Sequence, residues 1–205
     1  MTSTESSSRS FSLRMSARDL ISIGIFAALY FVLSLAASLI GIINPPMMIV
    51  STGLAIIIGA IPFMLFLTRV RHPGMITLFA IISGALYVLT GTLLIGLILM
   101  VGLALIAELI VWAGRYRSTT AGILAYTVFS IWFFGPILPL LYARDDYLSM
   151  PGLTSAGPEY VAGVDALFTT PVILAVGVGC AVCGLIGGLL GARVLRKHFV
   201  RAGLA

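Results

Sequence analysis

The stretch from Asp19 to Gly41 reads DLISIGIFAALYFVLSLAASLIG and carries no charged residue after Asp19. As a helix it would reach roughly 30 Å at about 1.5 Å per residue, which is the thickness of a bilayer core. Arg14 and Arg18 come just before it, and basic residues beside a span remain on the cytoplasmic side. The stretch therefore predicts a first transmembrane helix whose N-terminal end faces the cytoplasm.

The composition extends this prediction to the whole chain. Of 205 residues, 60% are hydrophobic and only 9% are charged, whereas about 25% of the residues in a soluble domain are charged. The net charge of +5 comes from basic residues that flank apolar segments, so it does not indicate nucleic-acid binding. We expect a single domain embedded in the lipid bilayer.

Polar and proline-containing breaks divide the apolar sequence of this all-α protein into six transmembrane helices. Pro45 and Pro46 form one break, because proline removes a backbone donor and restricts the residue before it. Thr90-Gly91-Thr92 is the only polar turn signal inside a long apolar run. The predicted helices are 18–41, 48–67, 75–89, 93–113, 120–134 and 171–199.

The remaining segments are polar. We expect residues 1–17, which are rich in Ser and Thr, to form a disordered cytoplasmic segment, and residues 200–205 to form a cytoplasmic tail. Residues 142–169 form a long outer loop. Within it, 159–168 predicts a short amphipathic helix. Its apolar stripe consists of Tyr160, Val161, Val164, Leu167 and Phe168.

The basic residues give this arrangement an orientation. Eleven of the twelve Lys and Arg residues fall on one side: Arg9, Arg14, Arg18, Arg69, Arg71, Arg115, Arg117, Arg193, Arg196, Lys197 and Arg201. The other side has only Arg144, among the acidic residues of the 142–169 loop. Because cytoplasmic loops carry an excess of Lys and Arg, both termini are predicted to be cytoplasmic and this loop to face outward.

The outer side also holds most of the unusual polar and aromatic side chains. They form either an aromatic belt with solvated loop charges or a small-molecule pocket, which would be apolar with a few polar groups that fix the ligand's orientation. The candidate ligand-binding residues are Asn44, Thr90, Thr92, Trp132, Tyr142, Arg144 and Asp145.

Three features inside the predicted spans require an interpretation. Glu108 is the only acidic residue deep in a span; it either has a function in the membrane or reaches an arginine at the inner face. Cys180 and Cys183 form a C-x-x-C pair, but they lie in a glycine-rich apolar run, so we expect helix packing rather than metal or redox chemistry. The glycines of that run are Gly184, Gly187, Gly188 and Gly191. No metal or cofactor is predicted.

Helix 1 carries Gly24 and Ala28 on one face, four residues apart. Small residues at this spacing allow another helix to approach closely in lipid, where association depends on packing. The strip is therefore either a docking surface for a partner helix or a contact inside the bundle.

The chain shows no nucleotide-binding loop, zinc-protease motif or serine-hydrolase motif. We therefore expect no enzyme activity and no ATP binding, so active transport would require an energised partner. A membrane enzyme would need clustered acidic residues or histidines at the inner interface. A self-contained carrier or channel would be expected to show internal repeats or paired broken helices. Both remain alternatives to a protein that only binds a small molecule in an outer pocket.

Four stretches, in their order and spacing, resemble the substrate-binding S components of energy-coupling factor (ECF) transporters, of the Trep_Strep or MptD-type family. They are 18–33 (RDLISIGIFAALYFVL), 61–70 (IPFMLFLTRV), 134–140 (FGPILPL) and 187–199 (GGLLGARVLRKHF). The resemblance covers about residues 18–199. It implies a six-helix subunit of a bacterial plasma membrane with cytoplasmic termini, which captures a vitamin, a related micronutrient or a metal ion at the outer face.

The same resemblance implies protein partners, namely a transmembrane T component and two cytoplasmic ATPase subunits. S components typically carry A-x-x-x-A in helix 1 for docking on the T component. Gly24 and Ala28 stand at the matching positions here. This departure keeps the residues small, which is the property that close approach requires.

Overall fold

A computed structural model describes residues 16–70 and 72–201, with side chains up to residue 197. Over these residues the chain is helical and has no strand. The helices are α1 (Ala17–Ser38), α2 (Pro45–Leu67), α3 (Met75–Leu89), α4 (Leu94–Ala113), α5 (Thr119–Phe129), α6 (Arg144–Leu148), α7 (Pro151–Thr154), α8 (Pro158–Leu167) and α9 (Thr170–Arg201). Two 3₁₀ segments, Leu39–Ile42 and Ser130–Leu141, extend α1 and α5. The expected disorder of residues 1–15 and the end of the predicted tail, 202–205, lie outside the described residues.

Polar caps and a glycine turn set several helix boundaries. Ser16 and Asp19 form a reciprocal capping box at the start of α1, where Ser16 N donates to Asp19 Oδ2 over 2.9 Å. Asn44 caps α2, since its side-chain oxygen accepts from Met47 N over 3.0 Å. Between α3 and α4, Gly91 has φ +93°, a left-handed conformation that glycine adopts without steric cost. The break predicted at Thr90-Gly91-Thr92 is therefore present in the structure.

The predicted all-helical membrane protein is confirmed. Five helical segments of the described chain are long and apolar enough to cross a membrane: Ala17–Ile42, Pro45–Leu67, Leu94–Ala113, Thr119–Leu141 and Thr170–Lys197. The helix that we predicted as a sixth span is α3, which has 15 residues, whereas a full span needs about 20.

The long helices run alternately up and down, so the bundle has two distinct ends. At the first end, Glu108 near the C-terminus of α4 contacts the start of α3, and His72 Nε2 lies 4.0 Å from Asp19 Oδ2. We call this the basic end, because Arg69, Arg115, Arg117, Arg193, Arg196 and Lys197 belong to it. At the opposite end, which we call the cavity end, Tyr87 contacts Trp132.

An aromatic cluster fills the middle of the bundle between the two ends. Phe63 of α2 and Phe129 of α5 stack with ring centroids 4.9 Å apart, and Phe66 and Phe79 stack at 4.8 Å. All four side chains are fully buried. The large buried area and the ring contacts stabilise the fold.

Helix α9 packs closely on its neighbours through glycines, as its sequence predicted. A Cβ atom on Gly187 would lie 3.0 Å from Ala60 Cβ of α2, and one on Gly191 would lie 2.9 Å from Met64 Cγ. A Cβ on Gly184 would overlap the Ser130 side chain. These contacts show that the glycines serve helix packing, because any larger side chain would separate the backbones.

The 142–169 loop contains three short helices, of which α8 corresponds to the predicted amphipathic helix. Val164 and Phe168 of its apolar stripe are fully buried. A Cβ on Gly163 would lie 2.8 Å from Pro45 Cγ, so α8 packs against the start of α2. The loop therefore folds back over the cavity end.

Candidate ligand site

A cavity of about 510 Å³ lies at the cavity end, between the ends of the long helices and the folded 142–169 loop. Its volume is within the usual range for small-molecule sites, roughly 300–1,000 Å³. Five aromatic residues line it: Tyr87, Trp132, Phe133, Tyr147 and Tyr160. Six Ser and Thr residues also line it: Ser38, Ser51, Thr52, Thr90, Thr92 and Ser155. This combination of apolar surface with a few polar groups is typical of ligand pockets.

Trp132 lies on the side of the cavity that faces the aromatic cluster. Its side chain is 2% exposed, and its Nε1 donates a hydrogen bond of 2.8 Å to the hydroxyl of Tyr30. Its ring centroid lies 4.3 Å from that of Phe133 and 4.7 Å from that of Tyr87. The indole is thus fixed by hydrogen bonding and packing, which gives the cavity a rigid aromatic surface.

Tyr87 adds a polar group to this surface. Its side chain is 6% exposed and lines the cavity. The hydroxyl lies near that of Ser34 but has no hydrogen-bond partner of normal geometry in the described part of the chain. Buried hydroxyls without a partner are uncommon because they cost free energy, so this group is suited to bind a ligand atom.

The other two tyrosines come from the folded loop. The hydroxyl of Tyr160 donates a 2.7 Å hydrogen bond to the carbonyl of Gly41, which ties α8 to the end of the first helical segment. Burial raises the pKa of Tyr147 to about 12, and burial also raises the pKa of Tyr160. Both hydroxyls are therefore protonated and uncharged at neutral pH.

Arg144 holds the loop in place rather than lining the cavity. Its Nε donates to Asp165 Oδ1 over 2.6 Å, and a terminal nitrogen donates to the carbonyl of Phe168 over 2.8 Å. A second terminal nitrogen donates to the backbone carbonyl of Asp165. The guanidinium thereby connects α6 to the C-terminal end of α8.

The structure brings together three of the seven candidate ligand-binding residues, since Thr90, Thr92 and Trp132 all line the cavity. The other four lie outside its lining: Asn44 (the cap of α2), Tyr142, Arg144 and Asp145.

The sequence analysis missed Tyr87 and Tyr147 as lining residues and placed Tyr160 only on an apolar stripe. Tyr87 lies four residues after the buried Ser83, a helical spacing that could have indicated an inward face. Tyr147 belongs to a five-residue helix, which has no periodicity that a sequence could reveal.

Glu108 has a structural role that neither sequence interpretation included. Its Oε2 accepts hydrogen bonds from Ile76 N over 2.9 Å and from Thr77 N over 3.2 Å. These are the free amides of the first turn of α3, whose own N-cap residue, Gly74, has no side chain. A carboxylate stabilises a helix N-terminus through both its hydrogen bonds and its charge. Among the described residues, Glu108 forms no ion pair with an arginine.

A second cavity, of about 330 Å³, lies at the basic end. Its lining includes Thr68, Tyr116, Arg117, Ser118 and Arg196. The aromatic cluster separates it from the cavity at the opposite end. The bundle thus has one cavity with two arginines and one whose described lining consists of uncharged residues.

A smaller pocket of about 240 Å³ lies between α2 and α9 and includes both cysteines in its lining. Cys180 is buried, and Cys183 packs beside Gly53, where an added Cβ would lie 3.3 Å from its sulfur. Both thiols are free. Within residues 16–70 and 72–201, no cluster of His, Cys, Asp or Glu is suited to hold a metal ion.

The Gly24–Ala28 strip faces away from the bundle. A Cβ atom added to Gly24 would have nothing within 4 Å, and Ala28 is exposed. Large apolar side chains on the same helix, such as Ile25 at 60% exposure, share this outer surface. The described part of the chain therefore contains no helix that covers the strip.

Comparison with known proteins identifies the family of the chain but gives no individual relative. No curated protein and no solved structure matches the sequence. The sequence pattern of one family, described as "hypothetical bacterial integral membrane protein (Trep_Strep)", matches residues 17–201. This match covers the whole helical bundle, including the loop over the cavity and all five candidate membrane spans. The chain is thus a multi-pass bacterial membrane protein, and it belongs to the Trep_Strep family.

Proposed function

We propose that the chain is the substrate-binding S component of an ECF-type importer, which captures a small molecule at the outer face of the plasma membrane. The observation that carries the proposal is the 510 Å³ cavity with its aromatic and hydroxyl lining. The cavity lies at the end opposite the arginines, so the positive-inside rule directs it outward. A substrate-binding subunit needs a small-molecule cavity that is open to the outer face. In this proposal the chain binds its substrate and catalyses no reaction.

In this proposal the bundle crosses the membrane six times and both termini are cytoplasmic. Helix α3 is the sixth span, because it connects the two ends in the same way as its longer neighbours. The α3–α4 connection, Thr90–Leu93, then lies at the cavity beneath the folded 142–169 loop rather than at the membrane surface. A helix of 15 residues is therefore long enough to connect the basic end to this connection. Reporter fusions test this topology: fusions at Arg117 and at the C-terminus should report cytoplasm, and one at Gly157 should report the outside.

The proposal also includes a T component and two ATPase subunits as partners. The buried aromatic cluster lies between the two cavities, so in this proposal release into the cytoplasm involves a rearrangement that an energised partner can drive. The Gly24–Ala28 strip is the proposed docking surface, because nothing in the described chain fills it.

The decisive experiment is purification of the tagged chain from its bacterial host in mild detergent, followed by native mass measurement. A complex that contains one further membrane protein and two ATPase subunits is the expected result. Uptake by cells should then depend on ATP hydrolysis by those subunits. Purification of the chain alone, together with uptake that is independent of ATP, would refute the assignment as an S component.

The second candidate function is a self-contained carrier, and the cavity at the basic end favours it. Two cavities on opposite sides of a closed layer are also the arrangement of an alternating-access carrier in an intermediate state. The discriminating measurement is transport by the purified chain in liposomes. A carrier would move its substrate down a gradient without any other protein, whereas an S component alone would bind it and leave net flux unchanged.

A further inference from the structure

The lining of the 510 Å³ cavity indicates the charge of the ligand that it can bind. Among the described residues that form it, none is Asp, Glu, Lys, Arg or His. The tyrosines contributed by the folded loop are protonated at neutral pH. The nearest loop cation, Arg144, is already bound to Asp165 and to the carbonyl of Phe168. The cavity therefore offers no free counter-charge to a ligand.

Because the described lining has no counter-charge, the cavity favours neutral polar ligands over charged ones. A charged group that leaves water must find an opposite charge or several hydrogen bonds. Otherwise its desolvation free energy exceeds the interaction free energy that it gains in the site. Neutral polar groups need only one or two hydrogen bonds each. The hydroxyls of Ser51, Thr52 and Thr90 donate to backbone carbonyls of their own helices, so their oxygens are available as acceptors for N–H and O–H groups of a ligand.

The aromatic surface narrows the ligand class further. The ring centroid of Trp132 lies 4.7 Å from that of Tyr87 and 4.3 Å from that of Phe133. Fixed rings of this kind bind a flat ring by offset stacking or edge contacts, with little loss of conformational entropy. The buried hydroxyl of Tyr87, which lacks a normal partner, then provides a hydrogen bond to a heteroatom of that ring.

We propose that the substrate of this chain is a planar, aromatic or heteroaromatic molecule without net charge at neutral pH, bound against Trp132 and hydrogen-bonded by Tyr87. This inference rests on the proposed function, because it specifies the ligand of the same cavity. It excludes metal ions, carboxylate vitamins and phosphorylated compounds as substrates, because their charges would need a counter-charge that the described lining lacks.

The test uses the full-length chain in lipid nanodiscs and a small-molecule extract of bacterial cells as the probe. Protein and extract are mixed at pH 7, unbound material is removed, and the retained compounds are identified by mass spectrometry. The matched control is Ala156→Trp, which places an indole at an exposed position of the cavity wall without altering the core. Its thermal unfolding should equal that of the wild type.

Each outcome has a defined meaning. A retained compound that is aromatic and uncharged, and that Ala156→Trp fails to retain, supports the inference. A retained compound with a net charge, or without a ring, overturns it and leaves the proposed function standing. If the wild type retains nothing beyond the control, the proposed function itself is refuted.

A second measurement places the compound at the proposed surface. The chain has two tryptophans, and Trp112 is 62% exposed on the lipid-facing side, so Trp112→Phe leaves Trp132 as the only indole. The retained compound should change the fluorescence of Trp132 saturably. Tyr87→Phe should weaken binding about fivefold to tenfold, the usual effect of one hydrogen bond. An unchanged Trp132 signal would overturn the proposed binding mode.

Discussion

Two strips of small residues in this chain have nearly the same sequence signature and opposite surroundings. On α9, the glycines from Gly184 to Gly191 meet the backbones of α2 and α5 so closely that an added Cβ would come within about 3.2 Å of a neighbour at each. On α1, an atom added to Gly24 would meet nothing within 4 Å, and Ala28 is exposed. The first strip is filled by the chain itself, and no described residue fills the second.

This difference shows that spacing alone does not reveal what a small-residue strip does. In lipid, helices associate through packing and hydrogen bonding, because the surrounding acyl chains are as apolar as the helices. A filled strip therefore contributes to the stability of the fold. A strip that no described helix covers makes no such contribution, a property shared by lipid-facing surfaces and by docking surfaces.

The largest expected effect comes from filling the α9 strip. Gly184→Leu would push its side chain into Ser130 and into Thr127, whose Cα lies 3.1 Å from the added Cβ. We expect a loss of unfolding free energy of at least about 3 kcal/mol, which is the upper end of the usual range for substitutions that overpack a core. Thermal unfolding in detergent measures it.

The matched control for this prediction is Gly179→Leu on the same helix, where an added Cβ meets nothing within 4 Å. It should leave the unfolding temperature close to that of the wild type. Equal destabilisation by both variants would contradict the prediction, because it would mean that close packing at Gly184 is not what makes a larger side chain destabilising there.

The second largest effect concerns Glu108, which supports the α1 side of the bundle through α3. Glu108→Ala removes the acceptor for Ile76 N and Thr77 N and leaves these amides without a side-chain partner. We expect a loss of about 2 kcal/mol, and a smaller loss for Glu108→Gln, which keeps an acceptor but not the charge. A fully stable Glu108→Gln variant that fails in uptake would instead indicate a function in the membrane for the carboxyl group.

The sequence predicted the features that depend on local pattern. Long apolar runs and polar breaks gave the five long spans, and the glycine run gave the packing of α9. Helix 5 was predicted to continue to residue 134, but it becomes a 3₁₀ segment from Ser130 onward. The reason is Pro136, whose ring would clash with the carbonyl of Trp132 in a regular α-helix.

The sequence could not predict features that depend on distant contacts. The cap that Glu108 provides joins residues more than thirty positions apart, and only the meeting of α3 with α4 makes it possible. Arg144 was a candidate ligand residue because it is the single outer cation, yet its fixed partners lie 21 and 24 positions away. Which of seven outer residues line the cavity likewise follows from the path of the loop rather than from residue type.

A smaller effect is expected at the loop that covers the cavity end, where no small-residue strip holds the elements together. Arg144→Ala removes the hydrogen bonds to Asp165 and Phe168, but both charged side chains are partly exposed. We therefore expect a loss of only about 1 kcal/mol and a several-fold faster release of the bound compound. Asp145→Ala, which removes a charge from the same helix outside the lining, should leave release unchanged. Equal release rates in both variants would mean that the guanidinium does not hold the loop.

The smallest effect on the isolated chain is expected from Gly24→Leu and Ala28→Leu, which fill the empty strip. Both replacements are good helix formers and add apolar surface that lipid can cover, so insertion and thermal stability should stay unchanged. Ligand retention should also stay unchanged, because neither residue lines the cavity. If the proposed function holds, co-purification with the T component and substrate uptake should be lost, because the added side chains would hold a partner helix away and remove its many weak contacts.

The control for these variants is Ala36→Leu, the same change at another exposed alanine of α1. At 3.6 residues per turn it lies about 80° around the helix from Ala28, outside the strip. It should preserve both the fold and the complex. The comparison then shows whether the position of the added side chain, rather than its size, causes the loss of the complex. Loss of stability in isolated Ala28→Leu would show that the strip supports the fold after all, and the contrast with α9 would disappear. Intact complexes in all three variants would place docking on a different helix, with α1 facing only lipid.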